Sequence, residues 1–387
     1  MSLNLLKKKD CSGCFGCYNA CPKHCISMEA DEEGFWYPKI DEAKCVNCGL
    51  CEKNCPIISG KRKSDKFETK AYMAVSEDSD IRLQSSSGGI FTLLAKEIIA
   101  KKGVVFGAAF TQDFKEVEHI AVKTEEELAK LRMSKYVQSK IGDTYKQAKE
   151  FLDNKQMVLF TGTPCQIGGL YAFLGKAYEN LYTQDIICHG VPSPLVWEKY
   201  VEHIENTQAE KIKYVTQRNK KIGWDKSSVV FEFENKKSIT IPFSEDKYIK
   251  GFLSNIYLRP SCYNCSFKGL NRWSDLTLAD FWGINKVCPE INDNKGVSLV
   301  LANSFKGEEL FKSISSQIKA KTAPINEAIS HNPAALHSVR VHPKRSKFYK
   351  LLKKTDVENA VMKTLKPNIA SYILRGVKRR VKNIIHK

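Results

Sequence analysis

The sequence predicts an α/β (α+β) protein in two parts, a small cysteine-rich module followed by a larger body built on a mixed sheet. Three observations predict it. Two matching cysteine segments fall within the first sixty residues. From Ala71 onward, short apolar strands alternate with helix-favouring runs, the pattern of a sheet with helices packed against it. Between Lys211 and Ile241 the strands look adjacent, around a hairpin signal at Glu234-Asn-Lys-Lys237, which makes the sheet mixed or adds an α+β insert.

The 387 residues suffice for one large domain and a small one, or for two of ordinary size. With 42% hydrophobic and 27% charged residues, the composition excludes a disordered or fibrous chain. No apolar run approaches the roughly 20 residues that cross a bilayer, and the longest, such as Val104 to Phe110, are strand-sized. The opening MSLNLLKKKD lacks the apolar core of a signal peptide, so a cytoplasmic location is expected. In a reducing compartment, fourteen cysteines are more readily metal ligands or redox groups than disulfides, and nine of them precede residue 56. The net charge of +18 gathers partly in Lys61-Arg-Lys63 and from Arg375 to Lys387. No nucleic-acid motif accompanies it. Acidic cofactors, acidic redox partners or an anionic membrane surface account for the charge equally well.

The first cysteine segment reads Cys11-Ser-Gly-Cys14-Phe-Gly-Cys17-Tyr-Asn-Ala-Cys21-Pro22, and the second Cys45-Val-Asn-Cys48-Gly-Leu-Cys51-Glu-Lys-Asn-Cys55-Pro56. Both have the spacing that wraps three thiolates around one 4Fe-4S cubane and sends the fourth to a neighbouring cluster. Cys11, Cys14, Cys17 and Cys55 are thus expected to hold one cluster, and Cys45, Cys48, Cys51 and Cys21 the other. Zinc sites usually pair cysteines across a dozen or more residues, so zinc fits this spacing poorly. Cys25 falls outside the pattern and reads as a small buried residue. Gly34 to Ile40 reads as a short strand after a turn. The segment resembles bacterial two-cluster ferredoxins.

Lys61 to Lys70 is charged and without apolar period, hence a linker. In the body, Ala71–Ser76, Gly103–Phe110, Met157–Thr161 and Leu181–Cys188 read as strands, and Ile90–Lys101 as a helix. Thr124-x-x-Glu127 is a capping box, and a further helix follows Pro194 through Tyr200. Four loops carry chemical signals. Ser85-Ser-Ser-Gly-Gly89 suits phosphate at a helix start, although such turns are common without a ligand. Thr161-Gly-Thr-Pro-Cys165 and Cys188-His189-Gly lie just after strands, where ligands bind in α/β sheets. The fourth is Cys262-Tyr-Asn-Cys265. From spacing alone, Cys165, Cys188, Cys262 and Cys265 are either a third metal site, with zinc as one option, or four unrelated cysteines. Cys288 has no partner by spacing.

These motifs, in this order, resemble the beta-subunit family of coenzyme F420 hydrogenases and dehydrogenases. The match rests on Ser86–Ile90, Ser134–Gln138, Gly162–Ile167, Ile187–Pro194, Arg259–Cys265 and Arg272–Gly283, and it runs from about Ala71 to about Ser304. The resemblance implies FAD, a third 4Fe-4S cluster on Cys165, Cys188, Cys262 and Cys265, and electron exchange between coenzyme F420 and iron–sulfur carriers. It also implies cofactor contacts at Ser86, Ser87, Gly88, Gly89, Ser134, Lys135, Tyr136, Gln138, Gly162 and Thr163. Lys135, Arg132 and Arg272 are candidates for an anionic donor tail. Flavins take two electrons and release single ones, so the protein's task is positioning and tuning, and no catalytic carboxylate or nucleophile stands out.

The expected organisation is therefore a two-cluster ferredoxin domain over 1–60, a linker over 61–70, a flavin and iron–sulfur domain over 71–345, and a basic tail over 346–387. In the tail, Ile369, Ile373, Val377, Val381 and Ile385 recur every fourth residue among basic side chains. That is a basic amphipathic helix suited to an anionic membrane surface, or equally to packing on the protein. The expected function is an iron–sulfur flavoprotein oxidoreductase taking electrons from a reduced cofactor or a redox partner protein. The alternatives are a flavin-free ferredoxin-type carrier and an accessory redox protein for surface-polysaccharide synthesis.

Overall fold

A computed structural model describes residues 6–60 and 67–367. In the N-terminal module, β1 (Ile26–Ala30) and β2 (Trp36–Ile40) pair antiparallel, with Ile26 opposite Ile40. The turn between them is pinned by Asp31, whose Oδ1 accepts the amides of Glu33 and Phe35 at 3.0 and 3.1 Å. Two short helices, Gly16–Ala20 and Leu50–Lys53, lie one in each cysteine segment.

The body carries β3 (Lys70–Ser76), β4 (Val104–Phe110), β5 (Val117–Val122), β6 (Val158–Thr161) and β7 (Leu181–Ile186). Next come β8 (Ile212–Asn219), β9 (Ser228–Phe233) and β10 (Ser238–Pro242), and then β11 (Leu276–Asp280), β12 (Ser298–Ala302) and β13 (Ile318–Ala323). Eight of these form one sheet in the order β13-β3-β12-β11-β7-β6-β4-β5. The central four, β11, β7, β6 and β4, run parallel, and the flanking pairs are antiparallel. The sheet is mixed, as the sequence predicts. β6 is apolar up to its last residue, Thr161, and buried along its length, as suits a parallel strand covered on both faces. The predicted hairpin joins β9 to β10 in a separate sheet of order β10-β9-β8.

Local signals placed most boundaries. The Thr124 hydroxyl accepts the Glu127 amide at 3.3 Å, but the helix it starts lasts only from Glu125 to Leu128. The helix after Ser193 runs to Gln208, well past Tyr200, because Trp197, Tyr200, Val201 and Ile204 continue its buried face. The helices Arg345–Leu352 and Val357–Leu365 bury Phe348, Leu352, Val357 and Val361 in the core of the smaller sheet. The packed body thus continues beyond residue 345, and the amphipathic stripe from Ile369 to Ile385 lies outside the described residues. The same holds for the 61–66 part of the linker.

The module is set into the body. Phe15 and Trp36 join a buried cluster with Phe106, Tyr145, Phe160 and Ile167. Burying an aromatic side chain of this kind stabilises by about 1.5–3 kcal/mol. Asn19 donates to the Gly142 carbonyl at 2.9 Å, and the Arg345 guanidinium meets the Glu33 carboxylate in a forked ion pair.

Candidate cofactor sites

The two cysteine segments fold alike where it matters. In the first, Gly13 and Phe15 flank Cys14 in the left-handed conformation, with φ of 64° and 62°. In the second, Asn47 and Gly49 flank Cys48 with φ of 53° and 69°. Such alternation turns successive backbone N–H groups into a concave nest for an anion, the environment of a negatively charged cluster. Phe15 takes this conformation without glycine's freedom, a cost of about 1–2 kcal/mol that its burial offsets.

Burial and mutual charge show which thiols neighbour one another. Burial pushes Cys14 up to about 12, and the next cause is the neighbouring Cys55, with Cys11 adding to it. Cys17 is also raised, first by burial and then by Cys14, Cys11 and Cys55. Cys11, Cys14, Cys17 and Cys55 therefore face one another, although Cys55 is distant in sequence. Cys21 lies with Cys25 and Cys45 on the other side. The Cys25 sulfur sits 3.3 Å from that of Cys21, so the ninth thiol is buried beside a candidate ligand. Cys48 is exposed, which brings the second set to the surface.

Cys165 at a helix start, Cys188 after β7, and Cys262 and Cys265 from one turn come together in a small cavity. Burial pushes Cys188 up to about 12, followed by Cys262, and the Lys268 charge opposes the rise. Burial likewise takes Cys262 to about 12, with Cys165 and Cys265 contributing. Cys165 is raised by burial and then by Cys265, Cys188 and Cys14. Cys165, Cys188 and Cys262, each raised by burial and by neighbouring thiols, are poor thiolates alone, and a cationic iron core would favour their ionised form. Among the described residues no three Cys, His, Asp or Glu side chains meet tightly enough for a single ion. His189, next to Cys188, donates its Nε2 proton to Asn255 Oδ1 at 2.7 Å.

The helix Pro164–Leu174 joins the first and third sets. It begins at the carboxyl end of β6 and carries Cys165 in its first turn. One turn further on the same face, Gly169 lies so close to Cys14 that a Cβ there would sit 3.0 Å from the Cys14 sulfur.

A cavity of about 970 Å³ opens at the carboxyl ends of the parallel strands. This is the expected crevice of an α/β sheet, and its volume is at the upper end for a small-ligand site. Thr161 to Thr163 line it after β6, Cys188 to Pro192 after β7, and Asp280 and Trp282 at the end of β11. The segment Cys188–Val191 also walls the four-thiol cavity, so one strip of backbone separates the two.

Eight of the ten predicted cofactor contacts line this cavity: Ser86, Ser87, Gly89, Ser134, Lys135, Tyr136, Gly162 and Thr163. The Ser86 hydroxyl accepts the Ser134 amide at 2.7 Å and so unites two of the predicted segments. Lys135 donates to the carbonyls of Arg132 and Met133, and burial pulls it down to about 7. Two expectations do not hold in this form. Gly88 is packed behind the wall, its amide donating to Ser298 Oγ at 2.9 Å. Gln138 is buried against the module, where it accepts from Arg259 at 3.1 Å. Arg272 lines the four-thiol cavity and lies 3.6 Å from the buried Asp185.

Sequence reasoning missed His119, Gln184, Arg218 and the Trp224–Trp282 pair, which stacks at 4.9 Å. Their spacing carried no signal, because they sit on β5, β7, β8, a loop and the end of β11. His119 Nε2 lies 2.9 Å from the Thr161 carbonyl, which only accepts, so Nε2 carries the proton and Nδ1 is an acceptor. Burial pulls this histidine down to about 4 and keeps it neutral. His119 Nδ1, Gln184 Oε1 and the Nε atoms of Arg132 and Arg218 are buried without hydrogen-bond partners among the described residues. All four side chains border the cavity, so a polar ligand there would satisfy them.

The C-terminal region of the coenzyme F420 hydrogenase/dehydrogenase beta-subunit family matches residues 155–328, and a 4Fe-4S dicluster domain matches residues 10–57. Residues 155–328 thus carry the C-terminal region of this beta-subunit family, behind a 4Fe-4S dicluster domain. A coenzyme F420-dependent sulfite reductase of Methanocaldococcus jannaschii is 26% identical over 309 residues, covering 78% of this chain and 45% of that protein. The chain thus spans less than half the length of that relative. A ferredoxin of the same organism is 30% identical over 73 residues, 17% of this chain and 94% of the ferredoxin. A chain of the F420-reducing NiFe hydrogenase complex from Methanosarcina barkeri superposes with a TM-score of 0.46 at 18% identity, covering 78% of this chain and 94% of that one. Binding of 4Fe-4S clusters follows from the dicluster match and the ferredoxin relatives. Among the described residues no helix is long and apolar enough to cross a membrane.

Proposed function

We propose that this chain is an iron–sulfur flavoprotein oxidoreductase that takes electrons in pairs at the large cavity and delivers them singly at the exposed end of the module. FAD would occupy the cavity, and three 4Fe-4S clusters would sit on the three thiol sets. Bound flavin would exchange an electron pair with a reduced cofactor, and the cubanes would carry single electrons. The deazaflavin coenzyme named in the sulfite reductase relative is the leading donor.

The observation that carries this reading is continuity. The strip Cys188–Val191 is common to the cavity and the four-thiol pocket, and the helix bearing Cys165 abuts Cys14 of the module. Electrons entering the cavity need cross only one strip of backbone, then one helix turn, and then the module itself.

The residues have distinct tasks. The Ser85–Gly89 turn opens the helix Ile90–Ala100, whose first amides suit the phosphates of a dinucleotide. Lys220 fixes that turn by donating to the Ser87 carbonyl at 2.7 Å. Neutral His119 offers an acceptor to a ring N–H, and Arg218, paired with Asp280 at 3.1 Å, offers a donor. The test is cofactor content after anaerobic purification. About twelve iron and one FAD per chain are expected for three four-iron clusters. About eight iron without flavin would contradict the reading and leave a two-cluster carrier.

A further inference from the structure

Arg259 is fully buried between the module and the body. Its guanidinium divides between the first cysteine segment, β2 and Gln138. Nε donates to the Cys11 carbonyl at 2.8 Å, and Nη2 to the Trp36 carbonyl at 3.0 Å and to the Cys11 sulfur at 3.8 Å. Nη1 donates to Gln138 Oε1 at 3.1 Å, and the group stacks over the Tyr37 ring at 4.4 Å. Its backbone belongs to the other site. The Arg259 carbonyl accepts the Cys262 amide at 2.9 Å, and its own amide donates to Val191 at 3.0 Å, on the strip that walls the four-thiol pocket. The charge of Arg259 reaches the Cys262 thiol as well.

No carboxylate lies within ion-pair distance of this guanidinium among the described residues. Arginine stays charged in proteins, and a buried charge without a counter-charge is strongly disfavoured. Carbonyl and aromatic contacts solvate the group but cancel none of its charge. The anions that can do so are the thiolate-ligated clusters on its two sides. The site is also built to admit it. Gly13, at φ 64°, leaves the space, and a Cβ there would lie 2.7 Å from Nη1 and 2.9 Å from Gln138 Nε2. Gln138 takes part in this clamp and not in the wall of the large cavity.

We propose that Arg259 is a shared positioning and tuning residue, one cation set between the cluster of Cys11, Cys14, Cys17 and Cys55 and the cluster of Cys165, Cys188, Cys262 and Cys265. This rests on the reading that both thiol sets hold clusters. A positive charge stabilises the reduced, more negative form, so Arg259 raises both potentials together and leaves the cluster of Cys21, Cys45, Cys48 and Cys51 unaffected. That distant cluster is an internal reference in the same molecule.

The experiment is an EPR-monitored redox titration of the anaerobically purified full chain, its Arg259→Gln and its Arg259→Lys variants, with iron counted in each. In Arg259→Gln the two flanking clusters become harder to reduce, by on the order of tenfold or more in the reduced-to-oxidised ratio at fixed potential. The third cluster stays at its parental value, and Arg259→Lys restores the flanking pair most of the way. If Arg259→Gln gives no folded protein, Gly13→Ala is titrated instead. Its methyl displaces the guanidinium from Cys11, and the potential of that cluster falls. Full iron with unshifted flanking potentials, or all three clusters shifted alike, overturns the proposal alone. A parent chain lacking iron at the four-thiol pocket overturns the proposed function and this inference with it.

Discussion

Replacing Gly169 by alanine tests the contact that joins module to body. The position is inside the helix Pro164–Leu174, where alanine is normally favoured over glycine by about 1 kcal/mol. Here the added Cβ would lie 2.9 Å from the Cys14 Cβ, 3.0 Å from its sulfur and 2.9 Å from the Tyr145 hydroxyl. Neither neighbour yields readily. Tyr145 is fully buried and donates to the Gln166 carbonyl at 2.6 Å, while Cys14 is fixed between two left-handed residues. Overpacking of this kind costs about 1–3 kcal/mol, which exceeds the propensity gain over most of that range. Gly169→Ala is therefore expected to lose up to about 2 kcal/mol net, and Gly169→Val more, through a larger clash and a stiffer side chain. The assay is anaerobic thermal melting with retained iron counted alongside. A Gly169→Ala chain more stable than the parent and fully loaded with iron would refute the close packing of Cys14 on this helix.

Cys188→Ser is expected to remove about four of about twelve iron while the module keeps its own, and iron counting after anaerobic purification checks it; unchanged iron contradicts the ligand assignment. FAD affinity should depend on pH through Lys135, which burial holds at about 7 in the free protein. An anionic ligand binds the charged form, so affinity levels off below pH 7 and weakens by up to about tenfold per unit above it. Fluorescence titration of FAD from pH 6 to 9 reads this, and the same slope in Lys135→Met would remove the lysine from the account. Deleting residues 368–387 should shift the chain off vesicles rich in anionic lipid in a sedimentation assay, and unchanged sedimentation contradicts the membrane reading of the basic stripe.

Much of the architecture was legible because its signals are local. The two cysteine segments announce themselves by spacing, and the left-handed residues around Cys14 and Cys48 follow from the same repeat. Thr163, Pro164 and Cys165 mark the β6-to-helix turn, and the hairpin between β9 and β10 sits where the polar run placed it. What the sequence hid was long-range. Gln138 and Arg259 lie 121 positions apart, yet meet behind the first cysteine segment, so the glutamine faces the module and not the cavity. His119 looked like an ordinary strand residue, and only the packing of β5 beside β4 brings it to the cavity wall. The four-thiol pocket is an even choice from spacing, because three separate stretches of chain supply it. The helices after Arg345 carry basic residues that resemble the tail, but their apolar faces close the core of the smaller sheet.

The central claim is that the large cavity, the four-thiol pocket and the module form one electron path. The most direct measurement is EPR of the dithionite-reduced full chain beside its Cys188→Ser variant. The account predicts signals broadened by magnetic interaction between neighbouring clusters in the parent, simplifying when the middle cluster is lost. Independent cluster signals, unchanged by the substitution, would contradict it.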